Sequence, residues 1–306
     1  MSFAVSILEQ GLIYGILSLG IYITYKILDF PDLTVDGSFP LGAAVTALLI
    51  TRGVNPYLTL VAAFLVGVIA GICTGLIHVK CKVRDLLSGI IMMTALWSIN
   101  LRVAGTANVP LFSQKTIFKN DVIDKVVPEA LSKYSTLIMI LIIAIFCKIL
   151  LDLYMKTQSG YLLRAVGDND KLVTSLAKDQ GNVKILGLAI ANGLVALAGC
   201  VFCQEERVFE ISSGTGAMVI GLASVIIGTS IFKNLTFMKT TTAVLVGSVI
   251  YKACVAIALR SFEPQDMKLI TAVLFLFPGN ILSVDQNASR FHRNTSADNI
   301  QHRSFA

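Results

Sequence analysis

Charge is what this sequence has least of. Asp, Glu, Lys and Arg make up 14% of its 306 residues, against roughly 25% in a soluble domain. With 55% hydrophobic residues and a mean hydropathy of +0.76, the chain is expected to sit in a bilayer. Histidine is scarce too: His78, and His292 and His302 in the tail. Nothing in that count supports a Ser/His or His-rich centre of a membrane-embedded enzyme. No G-x-x-x-x-G-K-[ST] occurs, so the chain does not cradle ATP phosphates in the usual way. The six cysteines, Cys73, Cys81, Cys147, Cys200, Cys203 and Cys254, fall inside or at the ends of apolar runs. "CVFC" at Cys200–Cys203 has redox or metal spacing, but no second pair and no His is near. The cysteines read as small apolar helix residues, with no disulfide framework.

What the sequence does have is long apolar runs: Ile7–Leu28, Leu58–Ile77, Leu86–Ala104, Thr136–Tyr154, Val183–Cys203, Met218–Phe232 and Thr242–Leu259. Ser38–Ile50 and Leu269–Leu282 are weaker or shorter. At about 20 residues per crossing, this predicts an all-α polytopic membrane protein with about eight to ten transmembrane helices. The runs are too long for barrel strands. The first lacks a basic start and an A-x-A-like exit, so it reads as a retained helix.

Lys and Arg concentrate in "HVKCKVRD" (His78–Asp85), in Lys156–Lys184, in "FKNLTFMK" (Phe232–Lys239) and in the tail with Arg290, Arg293 and Arg303. Counting Ser38–Ile50 as a crossing puts all four on one side, the cytoplasmic one by the positive-inside rule. The N-terminus is then outside and the C-terminus inside a plasma membrane. The external connection Gly105–Lys133 runs against the rule with Lys115, Lys119, Lys125 and Lys133, partly offset by Asp121, Asp124 and Glu129.

Between Tyr154 and Val183 lies a segment too polar to span. "DNDKLVTSLAKDQG" reads as a short helix, capped by Asp168 or Asn169, with Leu172, Leu176 and Val173 on one face and Gly181 ending it. On physics alone, such a helix either docks a partner or lies flat on lipid.

"RAVGDNDKLVTSLAKDQGNVKILGLAIANGLVALAG", Arg164–Gly199, resembles the cytoplasmic loop of ABC importer permeases of the branched-chain amino acid and ribose permease superfamily. The matching positions are Arg164, Ala165, Gly167, Asn169, Ala177, Gly181, Lys184, Gly193, Ala196 and Gly199. "TVDGSFPLGAA" resembles a stretch of the sugar permeases. "IGLASVIIGTSIF" and "QDMKLITAVLFLF" resemble an amino acid-type subgroup paired with lipoprotein binding proteins. The resemblance implies a permease domain over 1–285, with a cytoplasmic coupling segment at 156–184, and a polar, disordered cytoplasmic tail at 286–306. It implies coupling through Arg164, Ala165, Gly167, Asn169, Leu172, Leu176, Ala177 and Gly181 to a separate ATP-binding cassette subunit. That partner would hold the ATP, so no cofactor is expected on this chain. It further implies a solute-binding lipoprotein and a second permease copy, with lipid around them and no nucleic acid. The solute would be an amino acid or a similar small polar molecule.

Two stretches look like related halves of an inverted repeat. "DLTVDGSFPLGAAV" follows the first span and "EISSGTGAMVIGLASVIIG" follows the fifth; each is a polar start with small residues before an apolar half-helix. Paired broken helices point to a transport site. The candidate path residues are Asp36, Gly37, Ser38, Trp97, Asn100, Ser212, Gly214 and Gly216. "SSGTG" either presents backbone N–H groups to a carboxylate or serves packing alone. Asp32 and Asp36 are expected to cap the half-helix at the cytoplasmic surface, with Pro31 and Pro40 bounding its regular part. Asn192 reads as interhelical glue, and Trp97 either lines the path or packs on lipid. Glu205 and Glu206 fall at the outer end of their span. The rival reading is an ion-coupled secondary transporter with inverted repeats, which would place acidic or His residues at mid-membrane depth.

Overall fold

The computed structural model describes residues 3–119, 134–168, 180–233 and 238–258. Among them are nine α-helices: α1 (Phe3–Ile21), α2 (Val35–Thr51), α3 (Pro56–Val79), α4 (Asp85–Ala104), α5 (Ser135–Tyr154), α6 (Gln158–Asp168), α7 (Gln180–Glu206), α8 (Ala217–Ile231) and α9 (Thr240–Ala258). Seven helical segments are long and apolar enough to cross a membrane, and α2 is a shorter apolar helix. This is an all-α, multi-pass membrane protein. The expected span Leu269–Leu282 and the tail 286–306 lie outside the described residues.

α7 and α1 form the centre. α7 is apolar nearly all round and mostly buried, as a helix enclosed by others must be. The outward faces of α3, α4 and α5 carry exposed Leu65, Ile69, Ile91, Phe146 and Leu150, an apolar exterior suited to lipid.

Small residues set the helix spacing. Gly67 and Gly71 of α3 lie against the backbone carbonyls of Asn192 and Leu188 in α7. Gly42 of α2 lies against the carbonyl of Ala196, so closely that a Cβ would run into it. Such small-residue contacts hold helices together where lipid removes the hydrophobic drive.

The inverted repeat is visible in these contacts. α3 packs antiparallel on α7, and α9 packs antiparallel on α1 through Gly11 with Val249 and Gly15 with Leu245. α2 runs beside α7 through Gly42 and Ala196, and α8 runs beside α1 through Gly221 with Leu17 and Ile21. α1 and α7 are antiparallel: Gly20 meets Ala191, and Gln10 reaches Glu206. The trio α7, α8, α9 thus repeats α1, α2, α3 upside down.

Each trio contains a break. α1 ends in a π-helical turn, Tyr22–Ile27, and Asp29 has φ 51. The chain then turns back and starts α2 beside the middle of α7. α7 ends at Glu206, passes through β2 (Val208–Glu210), and re-enters through a 3-10 turn, Ile211–Gly214, before α8 begins. β2 pairs antiparallel with β1 (Asn108–Pro110), Val109 opposite Phe209. These strands are too short to leave an alternating pattern in the sequence. They fasten the α4 exit to the α7 exit, where Gln204 accepts a 3.0 Å hydrogen bond from the Ile117 amide.

Two expectations are corrected here. Pro40 does not bound α2; it lies inside the helix, in its second turn. Its missing N–H leaves one intrahelical bond unmade, and neighbouring protein compensates for such gaps in buried membrane helices. Gly181 lies inside a helix, as the second residue of α7, Gln180–Glu206; the helix it is expected to end lies outside the described residues.

Candidate functional site

The half-helices α2 and α8 both begin deep inside the protein, and their N-termini meet. The Asp36 carboxylate, on the first turn of α2, accepts hydrogen bonds from the Gly216 amide (3.1 Å) and the Met218 amide (2.8 Å). Those are orphan donors at the start of α8, since the first turn of a helix has no intrahelical acceptor for them. Gly216 is in the left-handed region, φ 83, the conformation that turns the re-entrant chain into α8. Gly214 sits against the Asp36 carbonyl and the Pro40 ring, and a side chain there would push the half-helices apart.

Asp32 serves the start of α2 in the same manner. Its Oδ1 accepts from the Thr34 amide at 2.9 Å. Its Oδ2 accepts from Asn192 Nδ2 at 2.7 Å. Asn192 also donates to the Leu188 carbonyl at 3.0 Å, and its Oδ1 lies 2.6 Å from the Ser38 hydroxyl. All three side chains are buried. The expected capping role holds for Asp32, but its placement at the cytoplasmic surface does not: Asp32 is 1% exposed. Asp36 caps the opposite half-helix, α8. Within "SSGTG" it is the Gly216 amide that donates to an anion, this chain's own Asp36 carboxylate. The glue reading of Asn192 is right.

Beside this meeting point lies a cavity of about 220 Å³ lined by Asp36, Gly37, Pro40, Met93, Thr94, Trp97, Asn100 and Thr215. α4 supplies its far wall. Asn100 is buried, and its Nδ2 donates to the Gly37 carbonyl at 3.1 Å. Among the described residues, Asn100 Oδ1 has no donor. The Thr94 hydroxyl spends its proton on the Ile91 carbonyl at 2.8 Å. The structure thus brings Asp36, Gly37, Trp97 and Asn100 into one place, with Gly214 and Gly216 at its edge. Ser38 faces Asn192 instead. Ser212 hydrogen-bonds Glu210, and does not line the cavity. Thr215 and Met93 are lining residues that the sequence reading missed; Thr215 sits inside the quoted "SSGTG", while Met93 carries no polar signal at all.

The segment 156–184, expected to be cytoplasmic, is partly described. α6 is amphipathic and carries Arg164, Ala165 and Gly167. Gly167 lies against the Ile27 carbonyl at the end of α1, and Leu163 is buried. Arg164 is exposed beside Tyr22, Asp152, Lys156, Tyr161 and Lys239, around a second cavity of about 280 Å³. Asp152 ties α5 to α9, accepting from Lys239 Nζ at 3.1 Å and Thr241 Oγ1 at 2.6 Å. Asn169, Leu172, Leu176 and Ala177 lie outside the described residues. The helix expected to be capped by Asp168 or Asn169 lies outside the described residues, and α6 ends at Asp168.

A family model described as "Branched-chain amino acid transport system / permease component" matches residues 3–277. A tyrosine transport system permease protein of Clostridioides difficile (strain R20291) is 44% identical over 285 residues, covering 92% of each chain. An uncharacterized protein of Rickettsia prowazekii (strain Madrid E) is 31% identical over 279 residues, covering 90% of this chain and 95% of that one. No solved structure gives a significant match.

Proposed function

Because the chain belongs to the permease-component family of branched-chain amino acid transport systems, we propose that it is the membrane subunit of a binding-protein-dependent ABC importer for an amino acid. The similarity to a tyrosine transport permease makes tyrosine, or another aromatic amino acid, the first solute to test. Its partners in this reading are an ATP-binding cassette subunit, an external solute-binding lipoprotein and a second permease copy. ATP is bound and hydrolysed on the partner. The N-terminus is outside and the basic loops are cytoplasmic.

The observation that carries this reading is the meeting of α2 and α8. Two oppositely directed half-helices join through one carboxylate, beside a cavity, between two inverted trios. An arrangement of that kind opens to one side or the other by rocking one trio against its counterpart. The rival, ion-coupled reading would use Asp32 and Asp36 as ion ligands. The match to a permease component of branched-chain amino acid transport systems favours the ATP-driven device.

Coupling in this reading runs through 156–184, with α6 resting on the end of α1 at Gly167. The test is the complex reconstituted in proteoliposomes with its ATPase and binding protein. Leu172→Ala, Leu176→Ala and Gly181→Pro are expected to leave ATP hydrolysis running while uptake falls. Uptake that persists unchanged in all three refutes the coupling assignment.

A further inference from the structure

We propose that the cavity at the α2–α8 junction recognises the ammonium group of the passing solute, with Asp36 and Asn100 Oδ1 as its acceptors. This rests on the import reading above and adds the chemistry of recognition to it.

The argument is a count of donors and acceptors. Among the described residues, no Lys, Arg or His lines this cavity, and its one formally charged group is the Asp36 carboxylate. Its side-chain donors are the Trp97 indole N–H and the Thr215 hydroxyl. Asn100 Oδ1 is buried without a donor. The orientation of that amide is fixed by its neighbour: the Gly37 carbonyl can only accept, so the atom 3.1 Å from it is the nitrogen. The Thr94 oxygen is left with lone pairs once its proton is on the Ile91 carbonyl. The Asp36 carboxylate receives one amide on each oxygen, and a carboxylate has about four lone-pair sites. A buried acceptor without a partner carries the cost of its lost hydration. A ligand with several N–H donors removes that cost, and an ammonium has three. A carboxylate entering the same cavity would meet the like charge of Asp36, with no cation beside it to offset that repulsion. Trp97 completes the lining with an aromatic surface, to which cations are attracted. The cavity is smaller than the pockets of drug-sized ligands, which start near about 300 Å³. It therefore suits one end of a small solute.

Trp97 lines this cavity and is the only tryptophan in the chain, so all tryptophan emission comes from this position. The full-length permease in lipid nanodiscs is titrated with phenethylamine, 2-phenylethanol and 3-phenylpropionate, three probes that share a ring and differ in the end group. Phenethylamine is expected to shift the Trp97 emission at concentrations about tenfold lower than the alcohol, the worth of a hydrogen bond to a charged group. The acid is expected to give no saturable shift. Asn100→Leu is expected to weaken the phenethylamine response about tenfold, provided its unliganded emission maximum matches the wild type; otherwise the wild-type series decides alone. An acid response equal to that of the amine, or no response to any probe, overturns the assignment. So does a folded Asn100→Leu protein with undiminished amine affinity. Uptake of labelled tyrosine and leucine by cells carrying the complete transporter separates the two readings. Amine selectivity without any uptake leaves the cavity assignment standing and refutes import. Uptake without amine selectivity does the reverse.

Discussion

Asn192 in the middle of α7 donates a 2.7 Å hydrogen bond to Asp32, 160 residues earlier in the chain. That bond positions the re-entrant turn before α2. With the Leu188 carbonyl on its second N–H and the Ser38 hydroxyl on its oxygen, the Asn192 amide is fully used. A buried polar network that is fully satisfied specifies one arrangement; a partly satisfied one destabilises it.

Asn192→Leu removes the donor to Asp32 and the acceptor facing Ser38 together. The expected cost is on the order of 3 kcal/mol, since a buried carboxyl group loses a partner. Ser38→Ala is milder, about 1 kcal/mol, because Asn192 keeps both of its donated bonds. Asn192→Asp faces Asp32 with a second carboxyl group and is expected to be the worst of the three. Apparent melting temperatures in detergent check the order, and an Asn192→Leu protein as stable as the wild type would show that the network is dispensable.

Helix contact can be separated from backbone strain with two glycines. Gly42→Ala puts a methyl group into the Ala196 carbonyl, so α2 must leave α7. Gly53→Ala meets nothing within 4 Å; it suffers only from its φ of 78, worth about 1 kcal/mol. The expected outcome is loss of a monodisperse peak in size-exclusion chromatography for Gly42→Ala and a small drop in melting temperature for Gly53→Ala. Equal behaviour would contradict the close α2–α7 contact.

Much of this was legible in the sequence, and the parts that were not share a cause. The long helices begin and end within a few residues of the apolar runs, because a long uncharged run has no competing structure. α2 was harder: it starts at Val35, three residues before the apolar stretch, since Asp36 is spent on another helix rather than on water. The partner of Asp36 lies 182 residues away at Met218, and local pattern holds no trace of such a pairing. Trp97, Asn100 and Asp36 could be singled out as polar or aromatic residues in apolar surroundings. That they share a cavity follows from α4 packing beside α2, with Gly37 against Leu96, which only the fold supplies. Pro40 misled for a similar reason, as proline marks a boundary in water more strictly than in a buried membrane helix.

Orientation has a direct chemical test. Cys81, in the basic loop between α3 and α4, is exposed. Cys147, Cys200 and Cys203 are buried, and Cys73 and Cys254 are intermediate. A membrane-impermeant maleimide is expected to label the protein in inside-out vesicles and not in intact cells, and Cys81→Ser is expected to abolish the labelling. Labelling of intact cells through Cys81 would invert the topology.

The Asp36 cap should matter more to transport than to stability. Asp36→Asn keeps one carbonyl oxygen for the Gly216 or Met218 amide but turns an N–H₂ group toward the other, so one acceptor becomes a donor facing a donor. An N-terminal cap is worth about 0.5–2 kcal/mol, which a large membrane protein survives. The same two hydrogen bonds are, however, the join between the two oppositely directed half-helices. When the trios rock, this join either moves as one piece or breaks, and in both cases its strength sets the balance between the two states. Asp36→Asn is therefore expected to lower the apparent melting temperature only slightly, with solute uptake by the complete transporter falling at least about tenfold, the consequence of shifting that balance by about 1.4 kcal/mol. Asp36→Ala, which loses both bonds, should be more severe in uptake and still fold. If uptake tracked melting temperature across the two variants, the join would be a structural cap and nothing more.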